Sequence, residues 1–242
     1  MSDQHHDMES RPGPAPLGGF DLLMGVSLVW TFFLGLQVMV VLLTGERPGP
    51  AAIVAAGLID GVVTASIIGA FVCLKHRRGP LEGFAIKWVG AGTTALSLGL
   101  GLCCGLGAAA VTAQYSTGES AIAELTSTAG GLVAISVLAL VLPVVEELYY
   151  RGFIFPAVRN IAERHRGPAA AGALAVAAVS LWFGAVHVPQ LWNDFVGIPV
   201  VATMGLLWTL MRHHYGSLLP SLLSHLTYNA TLVTISLLTF EW

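Results

Sequence analysis

Charged side chains are scarce in this sequence. Its 242 residues include only 11 Lys and Arg and 14 Asp and Glu, or 10% of the chain, whereas a soluble domain carries about 25%. So few charges cannot cover a water-facing surface, which excludes a soluble enzyme. A nucleic-acid-binding face needs clustered basic residues, and the formal net charge is −3. We therefore expect no nucleic-acid partner.

Cysteine is also nearly absent. The three cysteines, Cys73, Cys103 and Cys104, all lie inside long apolar stretches. An odd number of cysteines in such positions does not form a disulfide framework. We interpret them as small packing residues at helix contacts.

Apolar residues are abundant instead, at 55% of the chain with a mean hydropathy of +0.75. Crossing about 30 Å of hydrocarbon at 1.5 Å per residue takes about 20 residues, and seven runs approach or exceed that length. They are 20–43, 51–74, 85–111, 131–150, 169–187, 195–211 and 217–240. The sequence predicts an all-α, polytopic integral membrane bundle of about seven transmembrane helices with a central polar cavity. Residues 20–242 form a single transmembrane domain, and residues 1–19, rich in Pro and Gly, are predicted to be a disordered cytoplasmic tail.

The distribution of Lys and Arg predicts the orientation, because cytoplasmic loops retain positive charge. With the spans placed as above, ten of the eleven basic residues share one side and only Arg47 lies on the other. If Arg151 lies within the membrane, the ratio becomes nine to one. We expect a multi-pass protein of the cell membrane with its N-terminus in the cytoplasm and its C-terminus outside.

The fourth run ends in a cluster of charges, Glu146, Glu147 and Arg151. Glu147 and Arg151 are four residues apart and share a helix face, so they can form an ion pair. Glu146 points about 100° away from Glu147 and has no such cation. An unpaired carboxylate near hydrocarbon suits a general acid or base. The alternative is that both glutamates simply end a helix at the membrane interface.

Histidines are rare inside the runs, and only His187 and His225 occur there. His187 follows Phe183 by one helical turn, while His225 and Asn229 are four apart and project from one face. Two donors on one face can stabilise an oxyanion. The alternatives are a hydrogen-bonded packing role for His187 and an interhelical polar clamp for His225 and Asn229.

Counting residues along the runs places these side chains at different depths. Glu146 lies about 8 Å and His225 about 12 Å inside the cytoplasmic edge, but His187 comes out about 27 Å from it. Either the fifth span starts further below the membrane, or it is tilted, or it bends. If the residues act together, Glu146, His187 and His225 must converge within about 10 Å of a common point.

Taken together, the motifs Glu-Glu-x-x-x-Arg, Phe-x-x-x-His and His-x-x-x-Asn occur in this order on three spans. In this the chain resembles the CPBP family of intramembrane proteases. The family is also called Abi, and it contains the type II CAAX prenyl endopeptidases and bacterial relatives linked to bacteriocin processing or immunity. The resemblance runs from about Pro143 to Ala230, and the protease core would occupy about 121–240.

The resemblance implies a role for each matching residue. Glu146 and His187 would hold and deprotonate the attacking water, and His225 and Asn229 would stabilise the tetrahedral oxyanion. The supporting residues would be Glu147, Arg151 and Phe183.

The cofactor stays open at this point. Glu and His are zinc ligands, with Glu146, His187 and His225 as the candidates, but the sequence lacks a His-Glu-x-x-His motif. The resemblance also permits a metal-free mechanism that depends on glutamate, so the cofactor is either none or zinc. We expect a peptide or lipidated protein as substrate and the lipid bilayer as environment.

A different class of function remains as the alternative. A transporter or proton-coupled carrier could use Glu146, His187 and Asp60 as a relay, although such proteins usually contain internal repeats and we find none. Asp60 lies midway along the second run, where a carboxylate is costly, and belongs to none of the three motifs. We expect it to form a structural hydrogen bond, with substrate or proton handling as the alternative.

Overall fold

The structure, a computed structural model, describes residues 16–45, 48–76, 79–116 and 121–242. The described residues form helices joined by short links, without strands. The α-helices are α1 Gly19–Thr44, α2 Pro50–His76, α3 Pro80–Gly83, α4 Ala91–Tyr115, α5 Ala121–Thr126, α6 Ala129–Glu146, α7 Phe155–Glu163, α8 Pro168–His187, α9 Gly197–Tyr215 and α10 Leu219–Thr239. A π-helical segment, Glu147–Ile154, joins α6 to α7.

Five helical stretches are long and apolar enough to cross a membrane. They are Gly19–Thr44, Pro50–Lys75, Ala91–Tyr115, Ala129–Glu163 and Pro168–His187. The predicted class, a polytopic helical membrane bundle, is confirmed. Helices α9 and α10, of 19 and 21 residues, are also about 30 Å long at 1.5 Å per residue, but they are less apolar. The count of seven spans therefore stays a prediction.

The fourth span is much longer than predicted. Helix α6, the π-helical segment and α7 form one stretch of 35 residues, Ala129–Glu163, where the sequence suggested 131–150. Helix α8 packs along α7 and therefore starts well beyond Glu146. This pairing accounts for the discrepancy in the depth of His187. Because α8 starts further from Glu146 than the sequence suggested, His187 at its other end comes to lie near the level of Glu146.

The third span is shorter than predicted. The sequence suggested 85–111, but α4 begins at Ala91. Residues between α3 and α4 instead bind the start of α10: the Ala85 carbonyl accepts from the Leu218 amide at 3.1 Å, and the Ser217 hydroxyl donates to the Lys87 carbonyl at 2.8 Å. Ala85 adopts a φ of 55° to make this turn. The link between α3 and α4 is thus hydrogen-bonded to the start of α10.

The predicted tail 1–19 lies mostly outside the described residues, but its last residues are part of the packed structure. Leu17 is 1% exposed, and its carbonyl accepts from the Asn160 side chain on α7 at 3.2 Å. The Gly18 amide donates to Asp21 at 2.7 Å. The structured part of the chain therefore includes Leu17 and Gly18.

Glycines allow the closest helix contacts. Gly101 and Gly105 on α4 lie directly against the backbone of α10 at Ser224 and Tyr228. A Cβ at Gly105 would lie 3.0 Å from the Tyr228 carbonyl oxygen. Helix α4 packs mainly against α10. The Gly-x-x-x-Gly spacing of α4 is therefore a helix contact of the kind that small residues permit in membranes.

Candidate active site

A buried ion pair lies at the centre of the site. Glu147 and Arg151 are both fully buried, and Arg151 donates to Glu147 Oε1 at 3.1 Å, as the four-residue spacing predicted. Two further guanidinium N–H groups donate to α9, at 3.2 Å to the Thr209 hydroxyl and 3.0 Å to the Gly205 carbonyl. These bonds compensate the burial of Arg151, whereas Glu147 Oε2 has no hydrogen-bond partner among the described residues. Arg151 is therefore an interior residue of the helix bundle.

His225 on α10 connects this pair to Glu146. Its Nδ1 lies 3.0 Å from Glu147 Oε1, and its Nε2 lies 3.7 Å from Glu146 Oε2. The ring is 3% exposed and stacks on Trp208 with centroids 3.6 Å apart. Because the Glu147 carboxylate accepts from Nδ1–H, the ring orientation is fixed and Nε2 faces Glu146.

Glu146 differs from Glu147 in its surroundings. Its side chain is 27% exposed, and its distance to His225 Nε2 is too long for a hydrogen bond. Two neighbouring carboxylates thus have different environments: Glu147 is held by Arg151 and His225, whereas Glu146 keeps room for a further partner.

His187 reaches the site through Phe183. Its Nδ1 lies 2.7 Å from the Phe183 carbonyl, and because a carbonyl oxygen only accepts, Nδ1 carries the proton and Nε2 keeps its lone pair. The Phe183 ring lies 4.5 Å from the His187 ring and 6.2 Å from the His225 ring, centroid to centroid. Arg151 lies over the same ring at 4.4 Å. His187, His225 and Arg151 therefore gather around Phe183.

Asn229 lies one turn from His225, but its amide is engaged elsewhere. Nδ2 donates to the Ala139 carbonyl on α6 at 2.8 Å. That carbonyl is available because Pro143, four residues later, has no N–H to donate to it. Asn229 is thus an interhelical clamp between α10 and α6, which was the alternative interpretation, and it keeps one amide N–H for a ligand.

Sequence reasoning missed the contribution of α9. Gly205, Trp208 and Thr209 contact Arg151 or His225, and Arg212 donates from Nε to the Arg151 carbonyl at 3.1 Å. In the π-helical segment this carbonyl would bond to the amide five residues on, but that residue is Pro156. Pro156 was the only sign of this contact in the sequence. It points to the Arg151 carbonyl only if the segment is known to be a π-helix, in which carbonyls bond five residues ahead.

The candidate zinc ligands do not form a ready metal site. Among the residues that the structure describes, no three His, Cys, Asp or Glu side chains are grouped so as to hold a metal ion. Glu146 and His225 approach each other, while His187 donates from Nδ1 to the Phe183 carbonyl and keeps Nε2 free. Zinc held by Glu146, His187 and His225 therefore stays a prediction.

A comparison with protein-family models tests the resemblance predicted from the sequence. Residues 128–231 match the model of the family described as type II CAAX prenyl endopeptidase Rce1-like. The predicted resemblance is confirmed. The match covers less than half of the chain, and at the level of the family it supports a CAAX-protease-like intramembrane endopeptidase that acts on a protein substrate in a membrane. Searches of the curated proteins and of the solved structures found no match.

The match to the CAAX endopeptidase family covers every site residue described above, from Glu146 to Asn229. Helices α1, α2 and α4 lie outside the matched segment. Asp60 on α2 is therefore beyond the part of the chain that the family model describes.

Proposed function

We propose that this protein hydrolyses a peptide bond within the membrane, using a water molecule that Glu146 and His187 activate. The observation that carries the proposal is the contrast between two adjacent glutamates. Glu147 is fully buried and bonded to Arg151 and His225, while Glu146 is 27% exposed beside His225. Adjacent carboxylates with different environments commonly divide structural and catalytic roles.

Glu146 acts as the general base and then as the general acid. It takes a proton from the water as the water oxygen attacks the carbonyl carbon, and returns the proton to the amide nitrogen as the C–N bond breaks. His187 Nε2 accepts a hydrogen bond from the same water, since its lone pair is free. The products are a carboxylic acid and an amine, and no covalent enzyme intermediate forms.

His225 stabilises the oxyanion in this mechanism. In its protonated form the ring donates from Nδ1 to Glu147 and keeps Nε2–H for the substrate oxygen. Trp208 and Glu147 hold the ring in place. The second amide N–H of Asn229 assists, while its first N–H maintains the contact with α6. The mechanism uses only groups of the chain, and zinc stays an untested alternative.

The test is peptide cleavage by purified protein in liposomes, using a library of hydrophobic and lipidated peptides. We expect Glu146→Gln to lower kcat by about 10² to 10⁴, the usual contribution of general acid–base catalysis. Glu163→Gln is the control, because Glu163 forms an exposed ion pair with Arg159 on α7. Cleavage that survives Glu146→Gln would reject the assigned base. Loss of cleavage on chelation, restored by zinc, would favour a metal mechanism.

A further inference from the structure

The sequence predicts a structural hydrogen bond for Asp60 on α2, but the buried oxygen of its side chain does not form one. Its Oδ1 is shielded from solvent and has no hydrogen-bond partner among the described residues. Residues on both sides of Asp60 are apolar, and α2 is one of the five membrane-crossing candidates. An unsatisfied polar atom in such a position destabilises the folded protein. The position needs a ligand that donates hydrogen bonds.

A second unpartnered group lies nearby. Tyr149 is 5% exposed, and its hydroxyl also lacks a hydrogen-bond partner among the described residues. Asp60 and the Trp30 indole both lie close enough to affect this hydroxyl electrostatically, and α2 packs against the π-helical segment that carries Tyr149. The acceptor, the hydroxyl and the N–H donor are thus contributed by α2, the π-helical segment and α1.

Asp60 and Tyr149 lie close to the active site. A Cβ at Gly61, next to Asp60, would lie 3.4 Å from the side chain of Val145, next to Glu146. Tyr150 lies on the active-site side, since its ring centroid is 5.2 Å from that of Phe183. The rings of Tyr149 and Tyr150 are in contact, with centroids 4.9 Å apart.

Water is the ligand that these groups suit. A buried water makes two to four hydrogen bonds to polar groups that otherwise lack partners, and the carboxylate, the hydroxyl and the indole N–H supply that number. Peptide hydrolysis consumes one water for each bond broken. Glu146 lies in a helical stretch that is long and apolar enough to cross a membrane, so each turnover requires a polar route for the next water.

We propose that Asp60 and Tyr149 hold water in a pocket between α2 and the π-helical segment, and that this pocket supplies the water consumed at Glu146. The supply role rests on the proposed hydrolytic function. The water site itself does not, because it follows from the unpartnered groups alone.

Hydroxyl-radical footprinting of the purified protein tests the water site directly, because radicals formed from bound water label adjacent side chains. Tyr149 should be labelled in the wild type although it is buried. Asp60→Leu should lower that labelling several-fold, and Asp60→Asn, which retains a polar side chain, should not. Ser66→Leu is the matched control on the same helix, because the Ser66 hydroxyl is exposed and already donates to the Val62 carbonyl at 2.7 Å.

An unlabelled Tyr149 in the wild type, or equal labelling in Asp60→Leu, would overturn the water site. If Asp60→Leu does not fold, Tyr149→Phe removes the other partner, and the labelling of Trp30 is then compared. In that case lower Trp30 labelling supports the site and unchanged labelling refutes it.

Peptide cleavage tests the supply role separately. Asp60→Leu should lower kcat about tenfold with KM unchanged, since only a step after substrate binding is affected, while Asp60→Asn and Ser66→Leu should retain activity. An unchanged kcat in Asp60→Leu would refute the supply role. If the wild type cleaves no peptide, the proposed function fails, whereas the footprinting result still decides whether water is bound.

Discussion

Two prolines determine which side chains meet at the site. Pro143 has no N–H to offer the Ala139 carbonyl, and Asn229 donates to that carbonyl instead. Pro156 likewise cannot bond the Arg151 carbonyl, which accepts from Arg212. A proline in a membrane helix is tolerated when neighbouring side chains satisfy the freed carbonyl. In this protein the helices that satisfy the carbonyls are α9 and α10, which also carry Trp208 and His225.

The Pro143 and Asn229 relationship can be tested with a double-mutant cycle. Asn229→Ala should lower the free energy of unfolding by about 0.6–1.7 kcal/mol, the range for interhelical hydrogen bonds in membranes. In a Pro143→Ala background the same substitution should cost less, because the new backbone N–H bonds the Ala139 carbonyl. Thermal and denaturant unfolding in detergent measures both. Equal costs in the two backgrounds would contradict this account of the clamp.

The buried ion pair should behave differently from Glu146. Removing one partner, as in Arg151→Met, leaves Glu147 buried and uncompensated and should destabilise the fold by about 3–5 kcal/mol. Replacing both residues, as in Glu147→Gln with Arg151→Met, should cost less than Arg151→Met alone. Glu146→Gln should leave the unfolding midpoint nearly unchanged. If Glu146→Gln were as destabilising as Arg151→Met, the two glutamates would not have the separate roles assigned to them.

At the scale of single residues, the sequence predicted the identities better than the roles. The ion pair between Glu147 and Arg151 follows from helical spacing, and the structure contains it. The engagement of Asn229 with α6 could not be chosen over an oxyanion role, because it depends on which carbonyl lies opposite. The same limit applied to Asp60, whose lack of a partner only a three-dimensional arrangement reveals.

At the scale of helices, the contact between α4 and α10 positions His225. Helix α4 lies outside the segment that matches the family model. Gly101 lies against the Ser224 carbonyl, one residue from His225. Sequence alone could not distinguish this glycine pair from the other glycines of the chain. The π-helical segment could not be predicted either, since its residues carry no pattern that separates it from an α-helix. The 35-residue length of the stretch through α7 was missed for the same reason.

Substitution of the contact glycine should show its importance. Gly101→Ala places a methyl group against the α10 backbone and should cost about 1–3 kcal/mol, as overpacking does, with a lower kcat because Ser224 and His225 shift. Gly99→Ala on the same helix is the control, because nothing lies within 4 Å of a Cβ at that position. Melting temperatures and peptide cleavage of both variants measure the effect. Equal behaviour of the two variants would mean that α4 does not position His225.

At the scale of the whole molecule, composition predicted a helical membrane bundle, and the helices of the structure confirm it. The depth of His187 could not be predicted by counting residues. The count assumed that each helix ends at the membrane surface, whereas α7 and α8 extend together beyond Glu146. The orientation in the membrane stays a prediction from the basic residues.

Fusion reporters test that orientation. Alkaline phosphatase attached after Trp242 should be active and green fluorescent protein at the same position dark, because the predicted C-terminus is outside. Fusions after Arg166, between α7 and α8, should give the opposite pair of results. The same reporter active at both positions would contradict the odd number of spans predicted between Arg166 and Trp242.

The packing of α4 on α10 also sets an order of events during synthesis. Residues of α4 leave the ribosome before those of α10, with α5 to α9 made in between. Until α10 is inserted, α4 lacks its principal neighbour, and Glu147 lacks the imidazole of His225. A partly synthesised chain therefore carries the carboxylates without the histidine that orients them. The proposed protease would become competent only after translation has passed α10, so a nascent chain would not cleave the proteins being inserted beside it.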